Sequence, residues 1–197
     1  MIDRGRAAVI AVDFQHDVIG SDGAFAPLFY DRVERAGVVP AAVRLLDGAR
    51  AAHAKIVYSR AVFQAGYPEL VPNIPVLAMV AEYGCLLDGT RGAAIIDDVT
   101  PHHGDVVIGH HRVSCFQGTE LDVILRGGGV DTIALAGVAT NLAIESTARA
   151  ASDLGYRTIV LSDACSTTTD ASHNASLESL GMLAEVMSLD EFLTTLD

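Results

Sequence analysis

An α/β fold built on a mostly parallel sheet follows from three observations. Short apolar runs alternate with segments of helical periodicity along the whole chain. The runs are continuous rather than alternately apolar and polar, as strands covered on both faces are. The run Thr132 to Ala136 passes through Gly137 into a helical pattern near Asn141, a strand, tight turn and helix in succession. These predict a three-layer α/β/α sandwich with right-handed crossovers, in one domain over residues 1–197, with no internal repeat or linker.

The first strand is Ala7 to Val12, ending in Asp13-Phe14-Gln15-His16-Asp17. A carboxylate there either caps a turn or stands at the ligand-binding edge of an open sheet. Gly20 to Tyr30 reads as a loop of glycine and small residues carrying Phe25, Leu28 and Phe29. A helix follows over Pro40 to His53, with Val43, Leu45, Leu46, Ala49 and Ala52 at helical spacing and Pro40 suited to its first turn. Lys55 to Ser59 is the second strand. Arg60 ends it, either as a solvated side chain or as a fork for a substrate carboxylate.

Residues 61–104 are the least regular part, broken at Gly66-Tyr67-Pro68 and Pro72-Asn73-Ile74-Pro75, with a short helix from Pro75 to Tyr83. Val106 to Gly109 is the third strand, and Thr119 suits the cap of a helix over Glu120 to Arg126. After the strand and helix around Gly137 come a strand over Arg157 to Ser162, a helix over Ala171 to Leu180 and a last strand over Ala184 to Met187. Ser188 then caps a terminal helix, with Glu191 placed to complete a capping box.

Composition narrows the function. A formal net charge of −12 argues against a nucleic-acid groove or an anionic membrane surface as partner. Cys85, Cys115 and Cys165 are odd in number and widely spaced, neither a disulfide framework nor a paired metal motif, which fits a reducing, cytoplasmic setting. No leader and no apolar run long enough to cross a bilayer is evident.

Three segments resemble the isochorismatase-like, or cysteine hydrolase, superfamily. Gly137-Val138-Ala139-Thr140-Asn141 followed by Glu145-Ser146-Thr147-Ala148-Arg149 is similar to its nucleophile turn. Asp13-Phe14-Gln15 matches its D-x-Q, and His110 to Leu121 matches its K-x-R-x-S-x-F-x-G-T-x-L. Gly89-Thr90-Arg91-Gly92-Ala93 fits a further G-T-x-G-A segment.

The resemblance implies strand order 3-2-1-4-5-6, Asp13 as general acid/base, and a cis peptide joining Val138 and Ala139. It also implies an oxyanion turn over Val138, Ala139, Thr140 and Asn141, pocket-side roles for Gln15, Cys115 and Phe116, and a dimer or tetramer. Two triad positions depart from the pattern. Ala143 stands where most members carry the nucleophilic cysteine, and His110 where they carry lysine. In the implied order the first and fourth strands adjoin, so Asp13 faces Ala143, while the loop carrying His110 must reach in from farther away.

An acyl-enzyme at position 143 is therefore closed, and three readings stand. Asp13 with His110 drives non-covalent hydrolysis of a small metabolite, a vinyl ether or an activated amide or imide. Alternatively Cys115 acts as a relocated nucleophile. Alternatively the chain is an inactive member that binds small molecules or acts as a scaffold. No organic cofactor is implied. The pairs His102-His103 and His110-His111 suggest a metal, but zinc-binding relatives use ligands after the second strand, where Ala61-Val62-Phe63-Gln64 offers none.

Overall fold

A computed structural model describes residues 2–196. Six strands, β1 (Ala7–Val12), β2 (Lys55–Ala61), β3 (Val106–His110), β4 (Thr132–Val138), β5 (Arg157–Ser166) and β6 (Glu185–Met187), form one sheet. Its order is β3-β2-β1-β4-β5-β6, and every neighbouring pair is parallel. The helices are α1 (His16–Ile19), α2 (Ala26–Ala36), α3 (Val38–Ala51), α4 (Pro75–Tyr83), α5 (Leu121–Gly127), α6 (Glu145–Asp153), α7 (Asp170–Leu180) and α8 (Leu189–Leu196).

The central strand shows why the apolar runs are continuous. Ala7, Val9 and Ala11 of β1 enter a core shared with Phe29, Leu45, Leu46 and Phe192. Ala8, Ile10 and Val12 enter a second core with Leu121, Leu125, Ala148 and Leu180. A period of two thus feeds both faces, and neither face tolerates a polar residue. Burying each of the larger side chains contributes about 1.5–3 kcal/mol.

The helix expected over Pro40 to His53 runs Val38–Ala51, the short α1 was not foreseen, and two elements differ more widely from the sequence reading. Part of the expected loop Gly20 to Tyr30 is helical, because α2 begins at Ala26 and runs to Ala36. Pro27 suits its first turn, Phe29 and Val33 bury one face, and Gly37 closes it in the left-handed conformation at φ 66°. Strand β5 continues four residues past Ser162, through a register shift against β4 between Leu135 and Gly137. The polar residues that seemed to end it are used at the bulge. Ser162 Oγ donates to the Met187 carbonyl at 3.2 Å, and Asp163 Oδ1 accepts from the Leu189 N–H at 2.7 Å. The expected capping box forms, with Ser188 N–H donating to Glu191 Oε2 at 2.8 Å and Glu191 N–H to Ser188 Oγ at 3.3 Å. Thr119 Oγ1 likewise accepts from the Leu121 N–H at 3.2 Å.

The crevice opens at the carboxyl ends of β1 and β4, where connections leave for opposite sides of the sheet. At Gly137, the partner of Val12 across the two strands, φ is 134° and a Cβ would lie 2.0 Å from the Val12 carbonyl oxygen. The Val138–Ala139 peptide beyond it is cis. Gly137→Ala should destabilise the protein by about 2–6 kcal/mol, the sum of backbone strain and overpacking. Denaturant unfolding of the two proteins measures it; a loss below about 1 kcal/mol would show that β1 and β4 can separate without cost.

Candidate active site

Asp13 leaves β1 in the left-handed region, at φ 57°, which Asp adopts more readily than most residues. Its N–H donates to the Ser59 carbonyl at 2.9 Å, and its Oδ1 accepts from the Ala61 N–H at 3.1 Å. Register brings the partner. His110 is the last residue of β3 and pairs with Ala61 across β2. Its Nε2 lies 2.8 Å from Asp13 Oδ1 and its Nδ1 lies 2.6 Å from the Arg112 carbonyl oxygen. The side chain, and not the loop beyond it as the sequence reading had it, spans the gap to β1.

The protonation of this pair follows from its acceptors. A carbonyl oxygen only accepts, so Nδ1 carries a hydrogen. Nε2 and Asp13 Oδ1 then need one proton between them, since two bare lone pairs would repel. Acid with neutral imidazole, or carboxylate with imidazolium, the pair carries no net charge. Burial disfavours the charged ring, but the Asp13 carboxylate and the Arg112 carbonyl outweigh it and raise the His110 pKa above its ordinary 6.5. Asp13 and His110 are both buried, at 7% and 3% exposure.

The pair forms one wall of a cavity of about 80 Å³. Ala143, Val138 and Ala139 line it too, and Phe25, Phe63, Leu77 and Val80 are among the other residues around it. Thr140–Ile144 is a π turn leading into α6, with the N–H groups of Leu142 and Ile144 both donating to the Ala139 carbonyl, at 3.0 and 3.2 Å. Asp13, His110 and Ala143 thus meet in one place, as the motifs implied.

Comparison with known proteins now bears on this geometry. The isochorismatase domain model matches residues 7–191. The chain belongs to the isochorismatase family. An uncharacterized isochorismatase family protein of Bacillus subtilis strain 168, YwoC, is 31% identical over 193 residues, covering 98% of this chain and 95% of its own. The ureidoacrylate amidohydrolase RutB of Rhizobium rhizogenes strain K84 is 31% identical over 170 residues, covering 80% of this chain and 69% of its own. Among solved structures, a cysteine hydrolase from Pseudomonas syringae pv. phaseolicola 1448A superposes with a TM-score of 0.89 at 26% identity, over 99% of this chain and 94% of that one.

Several residues that the sequence reading offered for the pocket lie elsewhere. Cys115 has no exposed surface, sits in the core between the sheet and α5, and has its thiol pushed up to about 12 by burial. That placement removes it as a nucleophile reachable from the cavity. Phe116 packs on Tyr156, ring centroids 5.8 Å apart, against the same core. Arg60 is held by Asp88 Oδ1 at 2.9 Å and by the Ala93 carbonyl at 3.4 Å, so its fork braces a loop and does not enter the cavity.

Gln15 is fully buried, and its amide imitates a strand. Its Oε1 accepts from the Ala61 N–H at 2.8 Å, and its Nε2 donates to the Ala61 and Ala93 carbonyls at 2.8 and 2.9 Å. It positions the backbone that holds Asp13. Thr140 is buried against His173, its Oγ1 2.8 Å from the ring Nδ1, and exposed Asn141 accepts from Thr167 Oγ1 at 2.6 Å. Both brace the turn from behind. Among the described residues no three His, Cys, Asp or Glu side chains gather to hold a metal ion, and no helix is long and apolar enough to cross a membrane.

The apolar wall was missed in the sequence. Its signal was the spacing of Phe25 and Phe29 and of Val76, Leu77 and Val80, but spacing alone does not separate a cavity lining from a core.

The raised His110 pKa fixes a pH dependence. The pairing contributes fully to stability below pH 6.5 and is lost as pH rises through the higher folded value. The unfolding free energy of the protein relative to a His110→Gln variant should therefore be largest below pH 6.5 and shrink on the alkaline side. Denaturant unfolding across pH measures this. A difference that grows with pH would mean that the folded pair binds fewer protons than the unfolded chain and is wrongly described.

Proposed function

We propose that the protein is a hydrolase that adds water to a small acid-labile substrate without a covalent intermediate, with the Asp13–His110 pair as general acid and base. The observation that carries this reading is the 2.8 Å contact of Asp13 Oδ1 with His110 Nε2 at a cavity wall where Ala143 supplies no nucleophile. The family and the amidohydrolase relatives support hydrolysis as the reaction class.

Transfer of the shared proton to the substrate leaves a carboxylate beside a neutral imidazole. The pair then carries one negative charge against the cation developing on the substrate, in surroundings too apolar to screen it. Water attacks that cationic carbon. Its surplus proton returns to the gap between Asp13 Oδ1 and His110 Nε2, where two facing lone pairs draw it back. For a vinyl ether the proton goes to the terminal carbon, and the hemiketal formed by water collapses to a ketone and an alcohol. For an activated amide or imide the nitrogen takes the pair's proton as the carbonyl carbon takes the water oxygen, and the C–N bond then breaks to release the amine or amide and a carboxylic acid. Both routes consume one water and restore the pair.

Two measurements test this. Asp13→Asn should lower kcat/KM by about 10²–10⁴ on whichever vinyl ether (isochorismate included), amide, imide or ureido acid the protein hydrolyses, with the variant still folded. Retained turnover would exclude Asp13 as the acid, and no turnover by the parent protein on either panel would favour a binding protein. Cys85, Cys115 and Cys165 are all buried, each thiol pushed up to about 12 by desolvation. Iodoacetamide at neutral pH should thus leave the native protein unmodified and active; rapid labelling of Cys115 with loss of turnover would restore a cysteine mechanism.

A further inference from the structure

We propose that His111 orients the substrate: its Nε2 accepts a hydrogen bond from an N–H or O–H group, so the cavity takes small molecules that carry such a donor. This deepens the reading of the cavity as the hydrolytic site, and rests on that reading for the step from ligand to substrate.

The tautomer of His111 is fixed by the backbone. Its Nδ1 lies 2.6 Å from the Val62 carbonyl oxygen. A carbonyl oxygen only accepts, so Nδ1 carries the hydrogen and Nε2 of the neutral ring is left with a bare lone pair. The ring packs on Phe63, with centroids 5.6 Å apart. Among the described residues Nε2 has no hydrogen-bond partner, and it is not sealed in protein either. The buried side-chain nitrogen and oxygen atoms that lack a partner are Arg32 Nε, Arg50 Nε and Ser59 Oγ. His111 is half-buried and lines the cavity, so its lone pair faces open space there or at the mouth.

The other polar side chains of the lining do not take this part. His110 has both nitrogens engaged, by Asp13 and by the Arg112 carbonyl, and Asp13 belongs to the reacting pair. Arg112 has only N–H groups to offer, and two of its nitrogens donate to the Val71 carbonyl at 3.1 Å and to Asn73 Oδ1 at 3.0 Å. Residues 111 and 112 thus set an acceptor beside a cationic donor on a lining otherwise rich in hydrocarbon, Phe25, Phe29, Leu77 and Val80 among it. A ligand that covers Nε2 with an apolar group removes its hydration and replaces it with nothing, whereas an N–H or O–H restores the lost bond. An amide or imide that keeps an N–H meets Nε2 directly, and a vinyl ether does so where it carries a hydroxyl.

Isosteric pairs test this: N-propylacetamide with propyl acetate, where oxygen replaces N–H, and phenol with fluorobenzene, where fluorine replaces O–H. Proton–nitrogen correlation NMR at mildly alkaline pH reads the His111 tautomer, and titration reads binding. His111 should be in the Nδ1–H form. The donor-bearing member of each pair should bind on the order of 10-fold more tightly and shift the Nε2 resonance. His111→Asn keeps a donor near the Nδ1 position and leaves nothing at Nε2, so the preference should fall to within about twofold. His111→Gln, whose amide reaches the Nε2 position, should keep part of it. A histidine that only braces Val62 would leave the preference unchanged in both variants. An Nε2–H tautomer, read on the unaltered protein, overturns the proposal whether or not the variants fold. So do equal affinities within both pairs, a preference that survives in His111→Asn, and failure of every compound to bind at millimolar concentration. Donor-selective binding without turnover of any amide, imide or vinyl ether upholds the role of His111 and counts against the hydrolytic reading alone.

Discussion

His110 gives both of its ring nitrogens to oxygen atoms, and one of those oxygens can only accept. A proton must therefore stand between the ring and Asp13, and the site's chemistry depends on it. The sheet secures the arrangement through backbone register. Ala61 pairs with His110 on one side, and its N–H holds Asp13 Oδ1 on the other. The Gln15 amide bonds the same residue at both its N–H and its carbonyl. Three strands, β1, β2 and β3, thus converge on the peptide groups of one small residue, and the pair cannot spread without breaking the edge of the sheet.

A lysine at position 110 would bring a permanent positive charge to Asp13 and, on a flexible stem, would not require a backbone acceptor. The histidine brings a planar ring held at both ends. Its charge is conditional on the neighbour with which it shares a proton. The same ring puts a group with an exchangeable proton at the cavity wall. With Ala143 in place of a nucleophile, the turn at Val138–Ala139 remains as a shaped wall with no reacting side chain.

Legibility differed by kind of feature. Strand existence was readable because β1, β4 and β5 are apolar on both faces and because glycine and helix caps punctuate them, whereas the order of the strands in the sheet was implied by the family resemblance. The start of α2 was not, because Gly20, Gly23 and small residues precede it and dominated the reading of Phe25, Leu28 and Phe29 as loop residues. The end of β5 was not, because its polar Ser162 and Asp163 bond to the β6–α8 segment, 25 or more residues away. Arg60 and Phe116 fail as pocket residues for the same reason. Their partners, Asp88 and Tyr156, are chosen by distant segments that no local pattern records.

What the sequence determined by itself is the succession of buried strands along the chain and the identity of the groups at their carboxyl ends: Asp13, His110 and the turn through Ala143. Those depend on local hydrophobicity and on motifs a few residues long. Only the tertiary structure decided that Cys115 faces the core, that Arg60 is paired with Asp88, and that Asp13 Oδ1 and His110 Nε2 meet at 2.8 Å. Each of these turns on which donor meets which acceptor across strands, and a chain read in one dimension carries no distances between them.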